Sequence, residues 1–143
     1  MTALRSDIPA RLDRLPWSRW HWRVVIALGV AWVLDGLEVT LVGSIGAVLE
    51  RPDTLGLTAG EIGLSGSVYV AGAVLGALLF GRLTDRLGRK KLFLVTLVVY
   101  TVGTLATAFS PDFAFFALCR FVTGLGIGGE YAAINSAIDE LIP

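Results

Sequence analysis

Long hydrophobic stretches alternate with short polar clusters along the chain. Four stretches, at 24–49, 62–81, 92–110 and 113–138, contain few or no charged residues. A helix needs about 20 mostly apolar residues to cross the bilayer core, and lipid offers no hydrogen-bond partners to open backbone groups. The pattern therefore predicts the fold class, an all-α, polytopic membrane protein with four transmembrane helices.

The two middle stretches argue against a soluble helical bundle. Each helix of such a bundle needs a polar face, and the stretches 62–81 and 92–110 contain no charged residue. The first stretch is not a cleavable signal peptide, because it is too long and carries two carboxylates, Asp35 and Glu38. All four stretches are therefore predicted to span the bilayer.

Composition narrows the function classes. The chain has 143 residues, of which 55% are hydrophobic and 17% charged, and its formal net charge is zero. Its single cysteine, Cys119, lies inside an apolar stretch, so the sequence offers no disulfide or metal framework. No nucleophile–base pair is evident either. We therefore expect no enzyme activity, no metal or other cofactor and no nucleic-acid partner.

A dinucleotide-binding glycine pattern is present but misplaced. Gly124, Gly126 and Gly129 spell Gly-x-Gly-x-x-Gly. That fingerprint must follow a strand and open a helix, whereas these glycines lie inside a long apolar stretch. The pattern therefore does not indicate nucleotide binding.

The positions of the basic residues predict the orientation. Five arginines lie in the basic and aromatic N-terminal segment 1–23, and five cations lie at 82–91, whereas only Arg51 falls on the other side of the membrane. Lysine and arginine are enriched in cytoplasmic loops. We therefore expect a multi-pass protein of the cell membrane with the N-terminus and the 82–91 loop in the cytoplasm.

Small residues recur four apart in two of the stretches. Gly72 and Gly76 form one such pair, and Gly124 and Gly128 form another. Pairs of this kind let helix backbones approach closely in lipid. Helix packing is accordingly the role that we predict for these glycines.

Three charged residues are predicted to lie near the middle of the membrane. Asp35 and Glu38 lie three residues apart in the first stretch and so share a helical face, and Arg120 lies in the fourth. A charge at this depth costs roughly 2.5–3.5 kcal/mol on insertion scales, so it commonly marks function. We expect an intramembrane ion pair between Asp35 and Arg120.

The segment GRLTDRLGRKK, at 81–91, resembles the signature between the second and third helices of the major facilitator superfamily. The resemblance rests on seven positions at fixed spacing: Gly81, Leu83, Asp85, Arg86, Gly88, Arg89 and Lys90. We expect Gly81 to remove a side chain where two helices turn closely, and Gly88 to let the chain turn.

The fourth stretch resembles the same superfamily. Arg120, Gly124, Gly126 and Gly128 match its Arg-x-x-x-Gly-x-Gly-x-Gly motif, which adds Gly126 to the predicted packing glycines. The segment that ends at Pro143 is similar to the Glu-x-x-Pro of the sugar-porter branch. In that branch the acid bonds the signature-loop arginines when the cytoplasmic side is closed, which implies a latch between Glu140 and Arg89 or, second, Arg86.

The resemblance implies a fold and a domain organisation. Superfamily members carry two six-helix halves built of inverted repeats. The segment 24–143 is then expected to be a partial N-terminal half of a secondary transporter, with the remaining helices missing from this chain. The expected product is a fragment, a truncated protein or one part of a split transporter.

Resemblance also implies a mechanism. In proton-coupled sugar porters a helix-one aspartate faces the helix-four arginine, which makes Asp35 the expected proton acceptor and Arg120 its partner. The sequence Asp35-Gly36-Leu37-Glu38 is similar to the Asp-Gly-x-Asp of symporters for aromatic acids, so Glu38 joins the proton-coupling group. The possible inner vestibule comprises Glu130, Tyr131 and Asn135.

Substrate class remains open at this point. The favoured interpretation is proton-coupled symport of a sugar or a small organic acid. A uniporter or a drug/proton antiporter of the same superfamily is an alternative. A different class, a small non-transporting membrane protein that acts by helix association, is the third.

Overall fold

Five helices make up the part of the chain that the structure describes. The structure is a computed structural model that describes residues 14 and 16–141, and only the backbone at 85, 87 and 136–141. The helices are α1 (Arg19–Ser44), α2 (Gly46–Leu49), α3 (Ala59–Leu87), α4 (Arg89–Thr107) and α5 (Phe113–Leu141). Four of them, α1, α3, α4 and α5, are long and apolar enough to cross a membrane, which confirms the predicted fold class.

Helix α1 begins earlier than its hydropathy indicates. It starts at Arg19, so the predicted boundary between 23 and 24 falls inside it. The N–H of Ser18 donates to Nδ1 of His21 at 2.9 Å, and the Trp17 ring stacks on the His21 ring with centroids 5.2 Å apart. These contacts stabilise the first turn of α1. Hydropathy does not detect them, because it depends only on how apolar each residue is.

Helix α3 begins at a capping box and extends well past the predicted segment. The N–H of Glu61 donates to Oγ1 of Thr58 at 3.2 Å, and the N–H of Thr58 donates to Oε2 of Glu61 at 2.8 Å. At its other end α3 continues to Leu87 instead of stopping at residue 81. The predicted 82–91 loop is thus almost wholly helical, because charged residues continue a helix readily once it leaves the apolar layer.

Only Gly88 separates α3 from α4. Its φ is +82°, a backbone conformation that residues with a side chain rarely adopt, so this glycine permits the change of direction. The expectation for Gly81 was wrong. Gly81 lies within α3, and a methyl group there would make only ordinary contact with Cβ of Ala132, at 3.9 Å.

Helix α5 is the centre of the bundle. It packs along most of its length against α3 and α4, whereas α1 contacts it over a much shorter stretch. At the end away from Gly88, a small apolar core of Leu49, Leu57 and Phe116 joins α2, the following loop and α5. The bundle therefore presents α5, the helix of Arg120, to each of the other long helices.

Candidate functional site

One stripe of α1 faces the rest of the chain. Residues at alternating spacings of three and four along α1 are buried or half-buried, and most other positions are exposed and apolar. This spacing places one face of a helix inward. The stripe comprises His21, Val24, Leu28, Ala31, Asp35, Glu38 and Val42. Both carboxylates of α1 therefore point into the bundle, and its apolar side chains point outward.

Glu38 and Arg120 form a buried ion pair. Nη1 of Arg120 donates to Oε1 of Glu38 at 2.7 Å, and the two side chains are 5% and 7% exposed. A charge-assisted bond of this length is among the stronger hydrogen bonds in proteins. Among the described residues, this pair is the ionic contact that joins α1 to α5.

Neutral side chains from the other two long helices complete the site. The Arg120 guanidinium lies over the ring of Tyr69 on α3, 4.7 Å from its centroid, within cation–π range. Thr104 on α4 donates from Oγ1 to Oε1 of Glu38 at 3.5 Å. Each of the four long helices thus contributes one side chain to the same point.

The predicted ion pair between Asp35 and Arg120 was wrong, because the carboxylate that bonds Arg120 is that of Glu38. Asp35 is buried, 2% exposed, but within the described part of the chain no hydrogen bond or ion pair joins it to Arg120. Asp35 and Glu38 share a face one turn apart, and the register between α1 and α5 brings Glu38 level with Arg120. Oδ2 of Asp35 finds no hydrogen-bond partner in the part of the chain that the structure describes.

The three predicted vestibule residues have different environments. Glu130 is buried, 2% exposed, and its Oε2 lacks a hydrogen-bond partner among the described residues. Tyr131 is half-buried and meets Trp32 of α1 edge to face, with ring centroids 5.4 Å apart. Asn135 is exposed. Only the first two therefore face the packed interior of the chain.

The packing glycines lie where backbones touch. A Cβ on Gly72 or Gly76 would collide with the α5 backbone at Phe121 or Leu125, and one on Gly124 or Gly128 with the α3 backbone. Gly126 faces α4 instead, where a Cβ would come within 2.6 Å of the Tyr100 nitrogen. These close backbone contacts bring α3 and α4 near enough to α5 for Tyr69 and Thr104 to reach the ion pair.

The signature segment lies at the opposite end of α3 from Thr58. Arg86 and Lys90 are exposed and Arg89 is half-buried. The side chains of Asp85 and Glu140 fall outside the described residues, so the predicted latch of Glu140 with Arg89 or Arg86 remains a prediction.

Two cavities reach Arg120. One, of about 550 Å³, lies between α1, α2, α4 and α5 and is lined by Glu38, Arg120 and apolar residues such as Phe116. The other, of about 620 Å³, lies between α1 and α3 and is lined by Tyr69 and again by Arg120. Such volumes suit a small molecule. Arg120 therefore lines a cavity on either side of α1.

Two site residues were missed at the sequence level. Tyr69 and Thr104 lie in stretches that contain no charge, and a neutral polar side chain in such a stretch is not unusual. The signal available for Tyr69 was its position between Gly66 and Gly72, in a small-residue region that later packs on α5. Within the described residues no group of three or more His, Cys, Asp or Glu side chains is arranged to hold a metal ion.

Most of the chain is similar to known proteins. Residues 18–143 match the model of the Major Facilitator Superfamily. The chain is 34% identical over 137 residues to the niacin transporter NiaP of Acinetobacter baylyi, which covers 96% of this chain and 31% of that protein. It is 36% identical over 114 residues to a protein of Bacillus subtilis named as a candidate niacin/nicotinamide transporter, with 80% and 28% covered.

A third relative is not named as a transporter. Synaptic vesicle glycoprotein 2A of Homo sapiens is 33% identical over 139 residues, which covers 97% of this chain and 18% of that protein. The chain thus spans about a third or less of the length of the curated relatives that it matches. Names of transporters among these relatives support the prediction that the chain is not an enzyme.

Proposed function

Because this chain belongs to the major facilitator superfamily, we propose that it is part of a proton-coupled symporter for a small aromatic carboxylic acid. Niacin, the substrate in the names of two relatives, is the first candidate. The observation that carries the proposal is the buried Glu38–Arg120 pair at the meeting point of four helices and two cavities.

The pair suits an anionic substrate that travels with a proton. Arginine stays charged at any physiological pH, so Arg120 always requires a negative partner in this apolar site. When Glu38 takes up a proton, that partner is lost, and the carboxylate of the substrate replaces it on the guanidinium. Substrate and proton therefore enter together, and the site keeps the same net charge in both states.

The neutral members of the site favour an aromatic acid over a sugar. The Tyr69 ring already lies beneath the guanidinium, and the cavity walls beside it are largely apolar. An aromatic ring packs on such surfaces. A sugar presents many hydroxyl groups and no carboxylate, so it matches Arg120 and these walls less well.

Orientation belongs to the same proposal. The end that contains Arg86, Gly88 and Lys90 faces the cytoplasm, in the cell membrane, and the 550 Å³ cavity then opens toward the opposite side. The support is the distribution of basic residues, ten on one side against Arg51 on the other.

Uptake assays test the proposal on the protein expressed from its complete gene. Cells should accumulate labelled niacin when the outside is acidified. Glu38→Gln keeps an oxygen for Arg120 to bond but cannot take up a proton, so it should abolish accumulation and leave exchange of internal for external niacin largely intact. Asp53→Asn, at an exposed ion pair with Arg51, is the matched control and should behave as the unmodified protein.

Three outcomes would contradict the proposal in different ways. Niacin that only equilibrates across the membrane at every pH gradient would favour the uniporter alternative, and accumulation under the opposite pH gradient would favour the antiporter. A complete absence of movement for niacin and related acids, with the protein present in the membrane, would favour the non-transporting alternative.

A further inference from the structure

Three glycines line the cavity of about 620 Å³ between α1 and α3, namely Gly43 on α1 and Gly63 and Gly66 on α3. A Cβ atom on any of them would meet nothing within 4 Å. Glycine inside a helix is destabilising relative to alanine, and these three gain no close contact with the described part of the chain in return. Packing within the bundle therefore does not explain them, unlike Gly72 and Gly76, where a Cβ would collide with the α5 backbone.

The glycine face of α3 leads to Arg120. Gly63, Gly66 and Tyr69 follow one another at intervals of three residues, so they share one face of α3, and all three line the cavity. At 1.5 Å per residue, Gly63 and Tyr69 are about 9 Å apart along the helix. The Arg120 guanidinium lies 4.7 Å from the centroid of the Tyr69 ring. The cavity is thus a groove, the α1–α3 groove, which is open at the glycines and ends at a buried cation.

Arg120 has a hydrogen-bond donor that the ion pair does not use. Its Nη1 bonds Oε1 of Glu38, but its Nε is buried and finds no acceptor in the part of the chain that the structure describes. The residue is only 4% exposed, and it lines the α1–α3 groove. Buried N–H groups in proteins are normally hydrogen-bonded. The oxygen of a ligand in the groove would supply the acceptor that Nε lacks.

Charge distinguishes the two cavities that Arg120 lines. Glu38 lines the cavity of about 550 Å³, so an anion there would face a carboxylate as well as the guanidinium. The described residues that line the α1–α3 groove include Arg120 and no acid. Its other walls are apolar side chains that suit a ring, namely Val39, Val42, Ile62 and Val70. An anionic ligand is therefore favoured in the groove over the other cavity, since like charges repel.

We propose that the α1–α3 groove binds a small aromatic carboxylate, with the ring against Gly43, Gly63 and Gly66 and the carboxylate at Nε of Arg120. The three glycines are then specificity-determining positions, because the side chains that they lack leave the space that the ring occupies. For the class of ligand, the inference rests on the proposed function. It adds which of the two cavities takes the ligand, and which end of the ligand meets which residues.

A lipid chain or another helix is a different occupant for the same groove. Neither a lipid chain nor an apolar helix face supplies an oxygen to Nε of Arg120, which favours the carboxylate. The three occupants also predict different effects of a methyl group at Gly66. It would take space from a ligand, it would clash with a closely packed helix, and it would be tolerated beside fluid lipid.

Equilibrium binding of labelled niacin tests the groove on the protein expressed from its complete gene, in lipid nanodiscs and without a pH gradient. Gly66→Ala should raise the Kd roughly tenfold or more, because a pocket discriminates strongly against one added carbon, and Gly66→Leu should abolish binding. The melting temperature of Gly66→Ala should stay the same or rise, because alanine is the better helix former. Weaker binding in a protein of equal or greater stability is not what a purely structural glycine would give.

Gly29→Ala is the matched control. Gly29 also has open space around a Cβ, but it lies about 21 Å along α1 from Gly43, so its variant should leave the Kd of niacin unchanged. A lower melting temperature for Gly66→Ala would show that a helix packs on this face, and would overturn the inference. An unchanged Kd in Gly66→Ala would also overturn it, because the groove would then hold lipid and not the ligand.

Protection of single cysteines from a small methanethiosulfonate reagent separates the two cavities. In a Cys119→Ala background, Ser67→Cys places the thiol in the α1–α3 groove and Thr54→Cys places it in the other cavity. Niacin should slow the reaction of Ser67→Cys several-fold and leave that of Thr54→Cys unchanged. The reverse pattern would overturn the inference. Equal protection by nicotinamide, which has the ring without the carboxylate, would also overturn it, because Arg120 would then not hold the ligand.

These measurements separate the groove from the coupling to protons. If niacin binds and protects as described but does not accumulate under a pH gradient, proton-coupled symport fails and the groove stands. If niacin accumulates under the gradient but its Kd ignores Gly66→Ala, the groove fails and symport stands. If neither niacin nor benzoate binds to the protein in nanodiscs, the inference is overturned.

Discussion

Arg120 of α5 bonds Glu38 of α1 across 82 residues of sequence, at 2.7 Å and with both side chains almost fully buried. Such pairs seldom increase stability relative to apolar residues of similar volume. Their presence in a membrane bundle therefore suggests a use other than structural support, and the first prediction separates the two roles.

Removing one partner of the pair should cost much more than removing both. Glu38→Leu leaves the Arg120 guanidinium buried and unable to lose its proton, so we expect a loss of about 3–5 kcal/mol in the free energy of unfolding. The double variant Glu38→Leu with Arg120→Met should recover most of that loss. Unfolding in mixed detergent micelles measures both.

The control for this pair lies one residue away. Val39 is 51% exposed on the outward face of α1, so Val39→Leu should change stability by much less than Glu38→Leu. Equal losses in Glu38→Leu and in the double variant would show that the pair itself, and not the orphaned charge, determines stability.

Gly128 should tolerate no side chain. A Cβ there would collide with the backbone carbonyl of Ala73 on α3, and backbone cannot move aside as a side chain can. We expect Gly128→Ala to cost roughly 1–3 kcal/mol of unfolding free energy through overpacking. The same measurement in micelles checks it.

Gly29 provides the matched comparison. It lies in the middle of α1 with nothing within 4 Å of a Cβ. Gly29→Ala should be neutral or stabilise the helix by up to about 1 kcal/mol, because alanine is the better helix former. A similar loss in both variants would contradict the close α3–α5 contact.

Backbone conformation, rather than space, should govern Gly88. Its φ is +82° and no atom lies near a Cβ there, so Gly88→Ala should cost about 1–2 kcal/mol from the disfavoured backbone conformation. Gly81→Ala, seven residues earlier within α3, should cost little or nothing. If thermal unfolding ranks the two variants the other way, the turn between α3 and α4 is not at Gly88.

Labelling with a membrane-impermeant maleimide tests the orientation. Cys119 is the only cysteine of the chain, so a Cys119→Ala background allows single cysteines to be placed at will. Asp53→Cys, in the exposed loop before α3, should react in intact cells. Lys90→Cys should react only after the membrane is permeabilised, and the reverse pattern would show that the basic end faces outward.

Hydropathy predicted the fold because a spanning helix needs little more than length and apolarity. Hydropathy did not predict the ends of the helices, and the reason is physical. Charge marks where a helix leaves the apolar layer, and α3 continues as a helix for several residues beyond that point, to Leu87. The start of α1 depends on local contacts of Ser18 and His21 that no hydropathy pattern contains.

The site was predictable in kind but not in detail. Asp35, Glu38 and Arg120 stood out because charged residues are rare inside membranes. Which acid meets the arginine depends on how far α1 is shifted along α5, and the sequence of either helix alone does not contain that distance. Tyr69 and Thr104 carry no charge, so only their neighbours in space reveal them.

The face of α1 has a consequence for how this helix is held. Its inward stripe is largely polar at the level of Asp35 and Glu38. Its outward surface is mostly apolar, like the lipid tails around it. The hydrophobic effect therefore contributes little to holding α1 against the bundle, because its apolar surface is in an apolar medium whether or not it is packed. The first helix is therefore anchored by a few polar side chains, and loss of the negative charge on Glu38 would remove one of these anchors.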